Sequence, residues 1–130
     1  MIEFHLDTRS GVPTYLQLVQ QVRQAVQLGI LEPGDQLPTV KEVVGRLAIN
    51  PNTVLKAYRE LDREGLVEGL RGQGTFVRAT MPSLPPDDLD MLREALRRWL
   101  EQAGAAGLDT DGIAALIAET LRGEGSSRAA

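Results

Sequence analysis

The segment Asn50-Pro51-Asn52-Thr53-Val54-Leu55-Lys56-Ala57-Tyr58-Arg59-Glu60-Leu61-Asp62-Arg63-Glu64-Gly65 constrains the fold more than any other stretch of the chain. Both ends of a helix are written into it. Asn50 is a good N-cap, because its side-chain oxygen accepts from an early backbone N–H. Pro51 falls at the first helical position, where a missing N–H costs nothing. Ile49 and Val54 have the spacing of a hydrophobic staple across that cap. Gly65 supplies the left-handed residue that ends the helix. Val54, Ala57, Tyr58 and Leu61 recur at helical spacing and mark a buried face. The opposite face carries Asn52, Lys56, Arg59 and Arg63, all hydrogen-bond donors. Such a face suits the major groove of DNA. It also describes an ordinary amphipathic helix with a solvated charged side, so the neighbouring segments must decide.

Upstream, Pro33-Gly34 demands a tight turn, and Pro38 keeps Leu37 in an extended piece. Thr39 and Glu42 have the spacing of a capping box. They open a short helix, Val40 to Leu47, with Lys41 facing out of its first turn. Ala48-Ile49-Asn50 then links two short helices, the pattern of a helix-turn-helix. Downstream, Leu66 to Leu70 and Thr75 to Arg78 flank a glycine-rich tip and predict a hairpin. A hairpin straight after a recognition helix is a wing. Its tip offers Arg71, Gly72 and Gln73, and an arginine there can enter a narrow minor groove or bind phosphate. The Gly-x-Gly is not a phosphate loop, since a strand follows it and no Gly-Lys-Ser/Thr is present.

Before this core, Ile2, Phe4 and Leu6 alternate as on one face of a short strand, with His5 on the other. Thr14 is expected to cap a helix running to about Leu28, with Tyr15, Leu18, Val19, Val22, Ala25 and Val26 on its apolar face. After it, residues 79–87 are a Pro-rich linker. Asp87 or Asp88 is expected to cap the next helix, whose stripe is Leu89, Leu92, Leu96, Trp99, Leu100 and Ala103. Asp109 caps a last helix with Ile113, Leu116, Ile117 and Leu121 on its apolar face. The expected organisation is a winged helix-turn-helix over 1–78, a linker over 79–87, a two-helix dimerisation segment over 88–122 and a disordered tail over 123–130. The fold class is mainly α with a small β-hairpin wing (α+β). About 35 residues cannot bury a core alone. The two stripes therefore predict a homodimer, with Trp99 at the centre of its interface.

Composition removes other classes. There is no cysteine and one histidine, so a disulfide scaffold, cysteine chemistry and a triad are excluded. With no carboxylate pair in a plausible pocket, an enzyme is rejected. No cofactor and no metal are expected. The N-terminus lacks a basic and an apolar signal region, and no apolar run reaches the roughly 20 residues of a membrane span. A cytoplasmic protein without membrane partners is expected. The net charge of −4 is concentrated in one part. Residues 1–78 hold nine Lys/Arg against nine Asp/Glu, and residues 79–130 hold five Arg against nine. A DNA-binding half must therefore gather its cations on one face.

Four motifs carry a family resemblance: Leu31-x-Pro33-Gly34-x-x-Leu37-Pro38-Thr39, Asn50-Pro51-Asn52-Thr53-Val54, Tyr58-x-x-Leu61-x-x-x-Gly65-Leu66-Val67 and Gly72-x-Gly74-Thr75-Phe76-Val77. Over about residues 4–78 the chain resembles the GntR family of bacterial transcriptional regulators. Its short two-helix C-terminus resembles the YtrA subfamily, whose members are homodimers often found regulating transporter operons. The resemblance implies DNA contacts from Lys41, Asn50, Asn52, Thr53, Leu55, Lys56, Arg59, Arg71, Gly72 and Gln73. Lys41 stands where relatives usually have arginine, so it keeps the charge and loses bidentate geometry. Leu55 stands where arginine is frequent. It gives up a guanine contact for a possible thymine-methyl contact.

The expected function is sequence-specific binding of double-stranded DNA, as a repressor on a pseudo-palindromic operator. The alternative is a winged-helix module that binds protein or RNA and does not read duplex DNA. Only 52 residues follow Arg78, too few for a conventional ligand domain. The sequence identifies no small-molecule effector.

Overall fold

The computed structural model describes residues 2–78 and 83–129. The order of elements is α1 (Thr14–Gln27), α2 (Val40–Leu47), α3 (Pro51–Arg63), β1 (Val67–Leu70), β2 (Gly74–Val77), α4 (Pro86–Ala105) and α5 (Thr110–Ala129). The chain divides into two compact units, Met1–Pro86 and Asp87–Ala130.

In the first unit, α1 and α3 supply most of the core. Leu18, Val19, Val22 and Val26 of α1 and Val54, Ala57 and Leu61 of α3 are fully shielded from solvent. Only Val43 of α2 is buried outright. This follows from length: eight residues present about two turns, enough for one apolar ridge. Leu31, Leu37, Leu66, Val67 and Val77 close the core from the loops and the hairpin.

Helix ends follow the local chemistry. Thr39 and Glu42 form a complete capping box, with the Thr39 side chain accepting from Glu42 N–H and the Glu42 side chain accepting from Thr39 N–H. Asn50 Oδ1 accepts from Asn52 N–H at 2.8 Å, and Pro51 follows it at the first helical position. Gly65 ends α3 at φ +80°. Helix α2 ends differently, on Ala48 at φ 53°, a left-handed conformation that a Cβ makes costly.

The hairpin pairs Val67 with Val77 and Leu70 with Gly74, leaving Arg71 to Gln73 as its tip. The far edge of β2 is also engaged. Leu37 N–H donates to Thr75 O and Val77 N–H to Asp35 O, both at 2.8 Å. The Pro-punctuated segment before α2 thus flanks the wing.

Several expectations are corrected. Residues 2–6 form no strand. Ile2 and Phe4 are buried as the alternation requires, but glutamine side chains of α1 take the place of a neighbouring strand. Gln21 bonds both His5 N–H (3.0 Å) and His5 O (2.6 Å), and Gln17 bonds Asp7 N–H (2.9 Å) and Asp7 O (3.1 Å). Pro13, not Thr14, occupies the N-cap of α1, with no side-chain cap bond. Its fixed φ of −54° already directs the chain into the helix.

Helix α4, which makes up the start of the second unit, begins at Pro86, inside the expected linker, so Asp87 and Asp88 lie within the first turn and do not cap it. Proline at a helix start explains the shift. Residues 79–82 of that linker lie outside the described residues. Asp109 does cap α5, accepting from Gly112 N–H at 2.8 Å. Helix α5 continues through Gly123 and Gly125 to Ala129, where a disordered tail was expected. Each glycine costs only about 1 kcal/mol in an established helix, and no proline interrupts it.

Candidate nucleic-acid interface

The capping box fixes where α2 begins, and so fixes Lys41 on its exposed first turn. Helix α3 is tied to the same place by a buried bond. The Tyr58 hydroxyl donates to the Pro38 carbonyl at 2.5 Å. Burial, and then the negative charge of Glu42, push the hydroxyl pKa above its ordinary value. The group stays protonated and keeps its role as donor. The start of the second helix and the middle of the third are thereby fixed to one carbonyl.

Around this hinge the implied contact residues sit as follows. Asn50 and Asn52 are exposed and Thr53 is half-buried at the start of α3. One acceptor site of Asn50 is committed to the cap, so Asn52 has the freer amide. Leu55 is 41% exposed, an apolar side chain facing solvent beside Asn52. Arg59 is exposed one turn further along. Lys56 is differently placed. Its ammonium lies 4.0 Å from the Tyr15 ring centroid, a cation–π contact that directs it toward α1. On the wing, Arg71, Gly72 and Gln73 are all exposed. Gly72 has φ +79°, where any Cβ would strain the turn. A broad open concavity runs between Thr39 and the wing residues 69–75.

The pattern of ion pairing separates the cations of the first unit. Arg23 pairs with Glu64 (2.6 Å), Arg46 with Glu3 (3.4 Å), Arg78 with Glu68 (3.8 Å) and Arg63 with Glu60. Among the described residues Lys41, Lys56, Arg59 and Arg71 have no carboxylate partner, and Arg9 is the one other such cation of this unit. Neutral in sum, the unit carries four cations without carboxylate partners on α2, α3 and the wing: Lys41, Lys56, Arg59 and Arg71.

Sequence reasoning missed two supporting groups. One is the Tyr58 hydroxyl, assigned to the apolar face by its spacing. The other is Gln36, whose Nε2 donates to the Gln73 carbonyl at 3.3 Å at the base of the wing tip. Neither partner is near in sequence, so no local pattern announces the bond.

Residues 14–77 match the family described as bacterial regulatory proteins, gntR family. The chain is also 39% identical over 115 residues to the HTH-type transcriptional repressor YtrA of Bacillus subtilis (strain 168), covering 88% of each protein. The chain belongs to the GntR family. Within that family it is of the YtrA type. The structure titled YtrA from Sulfolobus acidocaldarius, a GntR-family transcription factor, is 31% identical with a TM-score of 0.55, covering 75% of this chain and 97% of that one. AraR(DBD) in complex with operator ORX1 is 25% identical with a TM-score of 0.51, covering 58% of this chain and 95% of that one. GntR proteins are transcriptional regulators and not enzymes, which agrees with a site made of donors and cations. No helix among the described residues is long and apolar enough to cross a membrane.

Proposed function

We propose that this GntR-family protein is an operator-binding transcriptional repressor that works in the cytoplasm as a homodimer on a pseudo-palindromic site. The observation that carries the proposal is the distribution of unpaired cations. Four of the five unpaired Lys/Arg side chains described in the first unit, Lys41, Lys56, Arg59 and Arg71, come from α2, α3 and the wing. A cation left without a carboxylate partner is available to phosphates. Asn52, Thr53 and Leu55 read base edges from the first turns of α3, with Asn50 holding that turn. Lys41, Arg59 and Arg71 take phosphates, and Gly72 and Gln73 bring the wing backbone close to the minor groove. Lys56 acts mainly through Tyr15, setting the angle of α3 against α1. The operator-bound state of AraR(DBD) supports this use of the fold.

In the proposal residues 1–78 form the reading head, and α4 and α5 form the dimerisation segment. Support for dimerisation comes from apolar exposure. Leu92, Leu96, Leu100, Leu116, Ile117 and Leu121 are all exposed within their unit. Leu89, Trp99 and Ile113 are half-buried. Leu96, Trp99, Leu116, Ile117 and Leu121 line one shared concavity. Covering each such leucine or isoleucine is worth about 1.5–3 kcal/mol, and a two-fold copy offers the same stripe in return.

Footprinting the full chain on the promoter of its own operon tests the proposal. Two protected half-sites about 34–36 Å apart, one helical turn, are expected. Protection of a single unrepeated site would remove the two-fold model. Binding to RNA or protein with no duplex protection would favour the interaction-module alternative.

A further inference from the structure

We propose that Gln36 is the positioning residue of the wing tip and presets the direction of Arg71. The inference rests on the operator-binding proposal above. Three observations place Gln36 in this role. Its backbone is held against β2 on both sides, by Val77 N–H to Asp35 O and Leu37 N–H to Thr75 O, each 2.8 Å. Its side-chain Nε2 then reaches the Gln73 carbonyl at 3.3 Å. The amide fits there only because residue 74 is glycine: a Cβ on Gly74 would lie 2.6 Å from that same Nε2, and Gly74 has φ +127° besides.

The tip has little else to hold it. Gln73 N–H bonds the Leu70 carbonyl at 2.9 Å, closing the turn. That bond closes the turn at the Leu70–Gly74 pair of the hairpin. The Gln36 amide, anchored in the segment that also leads into α2, adds a second hold on the tip at the Gln73 carbonyl. Arg71 lies two residues from the carbonyl that Gln36 holds, so in this proposal its starting direction is set by a residue from the segment along the outer edge of β2.

The test uses the full chain in four forms: wild type, Gln36→Ala, Arg71→Ala and the double variant. Operator affinity is measured across a range of salt. One neutral hydrogen bond corresponds to about two- to tenfold in affinity, so Gln36→Ala should weaken binding by that factor. It should also move the salt slope toward that of Arg71→Ala, and add nothing in the Arg71→Ala background. A full, additive loss in the double variant would mean that Gln36 acts independently, and would overturn the proposal. The free protein gives a second readout by backbone amide relaxation. Gln36→Ala should loosen residues 71–74 and leave α1 and α3 unchanged. Unchanged relaxation at the tip overturns the proposal whether or not the operator is bound. Tip loosening without any wild-type affinity for duplex DNA would overturn the operator-binding proposal, and with it Gln36's assigned role toward Arg71.

Discussion

Tyr58→Phe removes a single oxygen from the centre of the reading head. Tyr58 is 7% exposed, and its hydroxyl donates to Pro38 O at 2.5 Å. Phenylalanine fills the same space, so little packing is lost. Pro38 is buried too, and its carbonyl would be left without a partner at a cost of about 1–3 kcal/mol. In a unit of this size that lowers Tm by roughly 4–24 °C. Urea titration and calorimetry of the full chain measure it. Alkaline pH provides an internal check. The folded pKa lies above the ordinary 10.0, from burial first and Glu42 second. The folded state therefore holds this proton more tightly than the unfolded chain. The stabilisation is complete below pH 10 and is lost as pH rises through the folded value. The gap between wild type and Tyr58→Phe should narrow above pH 10. A variant within about 0.5 kcal/mol of wild type at neutral pH, with no convergence in alkali, would refute the role given to this bond.

Other outcomes follow from the same geometry. Ala48→Gly relieves the left-handed strain at the end of α2 (φ 53°) and should stabilise the chain by about 0.5–1 kcal/mol, read from the urea midpoint. Asn52→Ala should lose about 1–3 kcal/mol at particular base pairs. Binding to operators altered one position at a time measures this, and an equal loss on every sequence would contradict the docking of α3. Trp99→Ala should weaken self-association by at least about thirtyfold if Trp99 is a hot spot. Sedimentation equilibrium would detect that shift toward monomer.

What could be read from the sequence was local. The capping box at Thr39, the Asn50-Pro51 start, the Gly65 stop and the Asp109 cap each involve residues within four positions of one another, and each stands in the structure. The hairpin was legible for the same reason. Features joining distant segments were not. The alternation of Ile2, Phe4 and Leu6 identified the buried face correctly. Nothing in it could show that Gln17 and Gln21, ten and sixteen positions away from their partners, would satisfy its backbone. Those glutamines look like a solvated helix face. The angular position of Lys56 on α3 places it among the implied groove-facing residues but does not announce its contact with Tyr15. Its stacking on Tyr15 depends on how α1 crosses α3, a tertiary fact. The run of α5 to Ala129 shows the converse error. Two glycines weaken a helix locally, but propagation from an established helix costs far less than nucleation.

The central claim is that a unit with no net charge binds duplex DNA through locally unpaired cations. The salt dependence of operator affinity tests it most directly. Lys41, Arg59 and Arg71 from each of two chains would neutralise about six phosphates, giving a log–log slope near −5. A slope of about −5 for wild type, reduced by roughly 2 in a dimer of Arg71→Ala, is the expected result. Affinity that is flat with salt, or a wild-type protein that binds no duplex at low salt, would contradict it.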